Sequence, residues 1–577
     1  MIGKLRTWLI LLLVFLLPVW VLPISYDWFE IPKAYLFYSI SSGVLFLTCI
    51  ELIKTRTFYL PRSGALTAAF VFLLSQWIAL LFSVHPLTSL LGNYFRFSGG
   101  VLELTLMFLL SLIWVDSAHR DPEYNTILLK VIALTALVTS VISIGMQGAY
   151  HYLFSQRLYG TFGQPDFLAA WVSVTIPVSI YLATEKKEGV WRFMWMGISI
   201  LSVVAVLATF SRAAIIAMVV SALLTGFYFL RHHKKKMVLS GTVFILAITL
   251  FIYKVPAISS RFNSHNFSEL TTEQTLQGTT SLRLLAWSGT ADAILHRPVL
   301  GYGPDTLLYV FPEFRPRRIN DHIEWAFRFD RAHSDILEIA FGSGLLGLAL
   351  YLIFLVVCIR QQFTKGVDSR VSILVTSVIV MYVVNHLFSF PTSATLLLFW
   401  MIVAIGIGNT KVRAVPRRVP ASLLLVGVLL SLGSVMLTTR VYVADLLLSF
   451  GKIEQAIAVF PYRDVYYGSL ATRSADLGDF TGALVAADRA VQLNPHYTEN
   501  YTIRADVKVK AGMASLAIAD FEIAHLLDPT SPYILYKEAQ AYIDLKDNAK
   551  ARECLLSALQ QKRDFTPASD LLTRLGN

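Results

Sequence analysis

Residues 191–230 read WRFMWMGISILSVVAVLATFSRAAIIAMVVSALLTGFYFL, two apolar runs (191–209 and 212–230) joined by the tight turn Thr209-Phe210-Ser211-Arg212. Each run is close to the roughly 20 residues that a helix needs to cross a hydrocarbon core of about 30 Å. Lipid offers no hydrogen-bond partners, so the backbone of each run must satisfy itself as a helix. The pair reads as a membrane hairpin with Arg212 at its turn.

Working outward, the same pattern recurs. The chain is 55% hydrophobic and 15% charged, and its apolar residues are gathered in blocks, not spread at amphipathic spacing. Thirteen candidate spans follow, at about 8–22, 34–53, 64–84, 99–115, 127–147, 166–184, 191–209, 212–230, 237–256, 335–358, 370–388, 393–408 and 419–437. The first follows Lys4 and Arg6, but Pro23 to Pro32 offer no small-x-small cleavage site, so it reads as an uncleaved helix.

Charge bias sets the orientation. With the N-terminus cytoplasmic, the tracts 1–7, 54–62, 116–126, 185–192, 231–236, 360–370 and 409–418 lie inside and hold 20 Lys plus Arg. The opposite short loops hold Lys33, Arg96, Arg157 and Arg212. An odd number of spans then puts the C-terminal tail outside. The net charge of +11 belongs mostly to the inner loops, where it reads as a topology anchor beside anionic lipid and not as a nucleic-acid surface. Cys49, Cys358 and Cys554 show no paired spacing, so neither a disulfide framework nor a zinc site is indicated.

Two regions lie outside the spans. From about Asp464 the tail repeats at a period of 34, seen in Gly478/Gly512, Ala483/Ala517/Ala551, Ala490/Ala524/Ala558 and Pro495/Pro529. It looks like a tetratricopeptide array of helix pairs, in which small residues permit close crossing and Asn494-Pro495 or Asp528-Pro529 ends the second helix. A third repeat, Pro532 to Phe565, lacks the Gly and the final Pro. Such a tail presents a concave surface to a partner or acceptor, or is a stabilising appendage. The other region, 257–332, is longer than any other connection and carries eight Arg, no Lys and eight acids. Exclusive use of Arg points to paired contacts with phosphate oxygens, against the alternative that these Arg pair with the acids.

The expected fold is all-α: first nine spans in 1–256, a large extracytoplasmic loop in 257–332, four further spans in 333–438 and a TPR-like repeat domain in 439–577.

Polar groups beside spans are costly and therefore informative. Four outward-facing sites stand out. Arg157 precedes the glycine-rich turn Gly160-Thr161-Phe162-Gly163-Gln164-Pro165-Asp166, Arg212 sits in its hairpin turn, Arg283 lies in Ser281-Leu282-Arg283-Leu284-Leu285-Ala286-Trp287, and His333 follows Arg331 just ahead of the tenth span. With Phe210-Ser211-Arg212, Pro298-Val299-Leu300-Gly301-Tyr302-Gly303-Pro304 and Ala332-His333-Ser334-Asp335 ahead of Gly342-Ser343-Gly344-Leu345-Leu346-Gly347, these stretches form an ordered set around one large loop.

In this ordered set, over roughly residues 80–400, the chain resembles the bacterial O-antigen ligase and O-antigen polymerase superfamily. The resemblance implies a metal-independent inverting glycosyltransferase of the bacterial cytoplasmic membrane, without nucleotide or other cofactor. It implies transfer of a glycan from undecaprenyl diphosphate to a lipid, glycan or protein acceptor at the outer face. Some protein-glycosylating relatives also look like a membrane core followed by a helical-repeat tail. Expected partners are the lipid-linked glycan, membrane lipid and an acceptor that the tail docks, with no nucleic acid.

Physical chemistry assigns the roles. A diphosphate leaves readily once its growing charge is met, so preplaced cations matter more than a general acid. Arg212 and Arg283 are the candidates, followed by Arg157. The acceptor hydroxyl needs a base, and neutral imidazole near pH 7 suits it, which points to His333. His85, His296, His322 and His386 stay as alternatives. No P-loop, dinucleotide fingerprint or His-Glu-x-x-His motif is present. A lipid-linked glycan flippase and a membrane-anchored scaffold are the competing functions; the clustering of charge at the outer face opposes the first, and thirteen spans are excessive for the second.

Overall fold

The computed structural model describes residues 2–25, 27–148, 157–231, 279–322, 324–364, 366–409 and 415–576. Among them, ten helices are long and apolar enough to cross a membrane: Ile2–Val19, Glu30–Thr55, Gly64–Leu81, Val101–Arg120, Glu123–Met146, Pro165–Ala183, Gly189–Ala208, Asp335–Gln362, Ser369–His386 and Ala421–Ser449. Two shorter apolar helices, Arg212–Thr225 and Ser393–Gly408, accompany them. Each of the twelve expected spans that falls within described residues therefore has its helix, while the expected span 237–256 lies outside them. Two helices differ in extent from their expected spans: the first runs Ile2–Val19 where the span is expected at about 8–22, and the last, with a span expected at about 419–437, continues to Ser449, with Val441, Ala444 and Asp445 buried along the extension.

The polar loops sort into two sets. On one side, Thr57–Leu60 pairs antiparallel with Val415–Arg418. There too, buried Arg6 reaches Glu51 at 3.0 Å and also pairs with Asp116, and Arg370 meets Glu185 at 2.9 Å. These contacts join tracts that the charge pattern places together. The other set joins Arg96 to Asp330 beside His333, Arg157 to the Thr209 carbonyl of the Arg212 turn, and Arg328 of the large loop to Glu499 of the tail.

Two glycine motifs turn out to be one feature. The Asp335–Gln362 helix is broken at Gly344 (φ 69°), and Leu345 N–H donates to the Pro298 carbonyl at 2.7 Å. Tyr302 and Gly303 N–H groups donate to the Phe341 and Gly342 carbonyls at 3.0 and 2.9 Å. A Cβ on Gly344 would sit 2.1 Å from the Val299 oxygen, and one on Gly301 2.3 Å from the Phe341 oxygen. Only glycine permits this backbone approach.

The tail consists of the helix pairs Asp464–Asp476 with Phe480–Leu493, Thr498–Lys510 with Ala514–Leu527, and Pro532–Asp544 with Asn548–Gln561, capped by Thr566–Arg574. The expected small residues Ala483, Ala517, Ala551, Ala490, Ala524 and Ala558 are fully buried at the crossings. Gly478 and Gly512 end their helices with φ of 83° and 77°, and in the third repeat Lys546 holds the same left-handed position at φ 60°. Lys546→Gly is therefore expected to stabilise the tail by about 1 kcal/mol or less, since glycine escapes the Cβ penalty at some entropic cost. A melting curve of the full chain that moves downward would contradict this.

The tail folds back on the large loop. Asn320 Nδ2 donates to the Thr530 carbonyl at 2.7 Å, Lys562 Nζ donates to the Asn320 carbonyl at 2.8 Å, and the Trp325 and Phe565 rings meet at 5.8 Å.

Candidate active site

The Gly160–Phe162 turn is tight because Gly160 (φ 49°) lies against Ser143 and Gly163 (φ 69°) against the Phe29 ring. Lys33, buried in the bundle, donates to the Thr161 carbonyl at 2.7 Å and lies 4.7 Å over the Phe162 ring. The turn delivers Asp166 into the first turn of the Pro165–Ala183 helix.

Asp166 is where the arginines converge. Arg157 Nη2 donates to Asp166 Oδ1 at 2.8 Å, and Arg157 Nε donates to the Thr209 carbonyl at 2.9 Å. Arg283 Nη2 stands 3.7 Å from Asp166 Oδ2. The Ser211 hydroxyl also bonds Asp166. Arg212 bears electrostatically on Arg283, whose guanidinium is pushed below its ordinary pKa first by burial and then by Arg212 and Arg157, against the pull of Asp166. Two arginines thus face one carboxylate, with Arg212 acting on Arg283 beside them, a setting suited to an anion.

His333 joins this cluster from the chain just before the Asp335–Gln362 helix. Its backbone is left-handed (φ 53°), a conformation uncommon for a residue with a Cβ. The residue before it is fixed at both backbone groups: Trp287 Nε1 donates to the Ala332 carbonyl at 2.9 Å, and Ala332 N–H donates to Glu338 Oε2 at 2.8 Å. Burial, then the charges of Arg283 and Arg96, lower the imidazole pKa to about 4, with Asp330 and Asp166 opposing. The ring is neutral at pH 7. Among the described residues no bond joins Asp335 to the ring; Asp335 Oδ2 accepts from the Tyr351 hydroxyl at 3.0 Å.

Several residues at the cluster do not stand out in the sequence as site residues. Phe390 is a shared platform, with Arg96 at 4.6 Å, Arg331 at 5.0 Å and the His333 ring at 5.4 Å from its centre. Arg96 Nε donates to Asp330 Oδ2 at 3.1 Å, and beside this pair a cleft of about 280 Å³ is walled by Phe95, Gln164 and Phe167. Arg331 pairs with buried Asp305 at 2.8 Å and supports the chain behind His333. Asp166 ends the glycine-rich turn motif, and Arg96 is among the four basic residues of the opposite short loops; both signals are legible, but without a partner to interpret them.

The alternative histidines have local roles. His85 Nδ1 accepts from Thr88 N–H at 3.3 Å and caps a helix; His322 Nδ1 accepts from Glu324 N–H at 3.2 Å. His296 and His386 Nδ1 each lie 2.8 Å from the carbonyl four residues back, of Asp292 and Tyr382. Among the described residues, no three His, Cys, Asp or Glu side chains converge as metal ligands.

Comparison with known proteins agrees with the motif reading. Residues 197–352 match the family model described as O-antigen ligase. A Rickettsia typhi protein named as a polysaccharide ligase is 23% identical over 305 residues, covering 51% of this chain and 66% of that protein. A general O-oligosaccharyltransferase of Acinetobacter baylyi is 23% identical over 430 residues, covering 70% and 73%. A ComP-specific O-oligosaccharyltransferase of the same organism is 21% identical over 364 residues, covering 61% and 62%. The first and third alignments thus span just under two thirds of those relatives. The resemblance carried by the motifs is borne out: this multi-pass membrane protein has an O-antigen ligase domain, matched at residues 197–352.

Proposed function

We propose that this chain transfers a glycan from undecaprenyl diphosphate to an acceptor hydroxyl at the outer face of the bacterial cytoplasmic membrane, as a metal-independent inverting glycosyltransferase. The observation that carries the reading is the convergence of Arg157, Arg283 and the Arg212 turn on Asp166, with neutral His333 under the influence of Arg283. His333 takes the proton of the acceptor hydroxyl as its oxygen attacks the anomeric carbon. The bond from that carbon to the diphosphate oxygen breaks on the opposite face, which inverts the centre, and the arginines meet the charge left on the diphosphate. The arriving diphosphate also offsets Arg283 and Arg96, which raises the imidazole into a useful range for a base. The two Acinetobacter relatives, both named as O-oligosaccharyltransferases and one as ComP-specific, favour transfer of an oligosaccharide to a dedicated hydroxyl acceptor; a growing glycan, as in a polymerase, is the second reading.

The test is transfer by purified protein from a synthetic undecaprenyl-diphosphate oligosaccharide to lipid, glycan and protein acceptors, read by mass. One defined adduct supports a ligase and a ladder supports a polymerase. No product from any acceptor sinks the proposal. The orientation has its own check: a cysteine at Ser474 should react with an impermeant reagent in intact spheroplasts and one at Ser369 should not, and the reverse pattern would move the site to the cytoplasm.

The pH profile follows from the electrostatics. In free enzyme His333 is neutral above about pH 4, so kcat/KM should stay flat from pH 8 down to about 5 and fall only below that. Arg283→Gln removes a charge that opposes imidazolium, so the acid limb should move to higher pH even as the rate drops. An unmoved limb would detach His333 from the profile. Linkage has the matching sign: the unfolded chain binds this proton at about 6.5 and the folded chain near 4, so the contribution to stability is present above 6.5 and is lost as pH falls towards 4.

A further inference from the structure

A second cavity, of about 420 Å³, lies between the large loop and the helices Thr498–Lys510 and Pro532–Asp544 of the tail, apart from the arginine cluster. Its volume is in the range of small-molecule sites. Aromatic faces line it from both partners, Phe329 from the loop and Tyr497 and Tyr533 from the tail. Polar groups are interspersed with the rings: Thr498, Thr502 and Ser531 bring hydroxyls to the walls, and Glu499, Asp506 and Asp528 bring carboxylates.

The cations of the cavity are already engaged. Arg315 donates to Asn320 Oδ1 at 2.7 Å and to Thr530 Oγ1 at 2.9 Å, and Arg328 pairs with Glu499. The lining sets these two arginines against three acids, Glu499, Asp506 and Asp528, so the cavity offers no surplus of positive charge to a diphosphate or an acidic peptide. The walls come from helices and loop turns, with no strand edge among them onto which an extended peptide could add. Flat rings beside hydroxyl and carboxylate side chains fit a neutral, hydroxyl-rich ligand: the C–H face of a pyranose packs on an aromatic ring, and its hydroxyls donate to carboxylate and hydroxyl oxygens.

We infer that this cavity is a saccharide-binding subsite that holds sugar units a short way from the transfer point. It rests on the glycan-transfer reading for its relation to His333, though not for the binding itself. Phe329 leads directly into Asp330, which pairs with Arg96, and His333 lies four residues beyond Phe329. Four residues span at most about 14 Å, a reach that a short oligosaccharide bridges. The sugars come either from the donor glycan or from an acceptor glycan, and both share the chemistry.

The test reads binding without turnover. Full-length protein in detergent is titrated with fluorescent neutral oligosaccharides of hexose, N-acetylhexosamine and deoxyhexose, with acidic oligosaccharides and with Ser/Thr-rich peptides. At least one neutral oligosaccharide should bind and be weakened tenfold or more by Tyr533→Ala, which removes a half-exposed ring (48%) at little cost to folding, and by Thr502→Trp, which fills the cavity. Melting curves of both variants should match the parent. His333→Ala should bind as the parent does, which separates this inference from the catalytic assignment. Competition by undecaprenyl-diphosphate-linked glycan would identify the donor as the source; absence of competition would identify the acceptor. Retention of peptides alone, no retention of any saccharide, or unchanged binding in both cavity variants would overturn it.

Discussion

His333→Ala is expected to lower turnover by about 10²–10⁴-fold, the usual range for loss of a general base, while the affinity for lipid-linked donor hardly changes. The split follows from position. His333 feels the Asp166 cluster through charge, while its ring packs on Phe390 at 5.4 Å, so its removal leaves the Arg157 to Asp166 pair in place. The left-handed backbone at this residue supplies a folding control. Asparagine tolerates that conformation better than most residues, so His333→Asn should fold at least as well as the alanine variant and be equally slow. Single-turnover rates and donor titration of both variants decide the matter. Parent-like turnover in either, with folding verified by melting, would remove the base assignment.

The second large effect concerns the cation cluster. Arg283→Ala is expected to cut kcat by about 10²–10³-fold, the usual loss when a preplaced stabiliser of developing charge is removed, and Arg283→Lys should recover little of it. The guanidinium is planar and presents paired donors, whereas an ammonium is a point charge on a flexible stem. Arg283 stands 3.7 Å from Asp166 Oδ2, at the loose end of a normal ion pair, so its donors are not committed to that carboxylate. Arg157 differs: with bonds to Asp166 at 2.8 Å and to the Thr209 carbonyl at 2.9 Å, it ties the glycine-rich turn to the Arg212 hairpin. Arg157→Lys should therefore lower stability as well as rate, and Arg212→Lys should behave like Arg283→Lys. Because the charge develops in the transition state, the loss at Arg283 and Arg212 should appear in kcat more than in KM. Full activity in both of these lysine variants would reduce the clamp to generic attraction.

The membrane helices were legible because their rule is local. A run of about 20 apolar residues must hydrogen-bond within itself whatever surrounds it, so the runs on either side of Thr209-Phe210-Ser211-Arg212 announced their own helices. The repeat tail was legible for a related reason. A period of 34 placed Ala483, Ala517 and Ala551 at equivalent crossings, and all three are fully buried. Where the period broke, at Lys546, the backbone kept the shape that the missing glycine would have taken (φ 60°). Helix limits were less legible, because the last helix is extended to Ser449 by packing that the apolar pattern does not record.

For the candidate site, the sequence by itself determined a short list: Arg157, Arg212, Arg283 and His333, each a polar residue placed beside a span at a cost. Tertiary structure alone decided their meeting point. Asp166 draws together Arg157 and Arg283, which are 126 residues apart in the chain; Phe390 carries Arg96, Arg331 and the His333 ring; and Gly344 accepts the Val299 backbone across a gap that any Cβ would close. The physical reason is the range of the forces involved. Backbone hydrogen bonding and hydrophobic period act over one turn or one repeat and leave a mark in adjacent residues. Ion pairing and close packing act through space over a few ångströms, so which charge meets which depends on how distant segments cross, and that crossing is written in no single stretch of the chain.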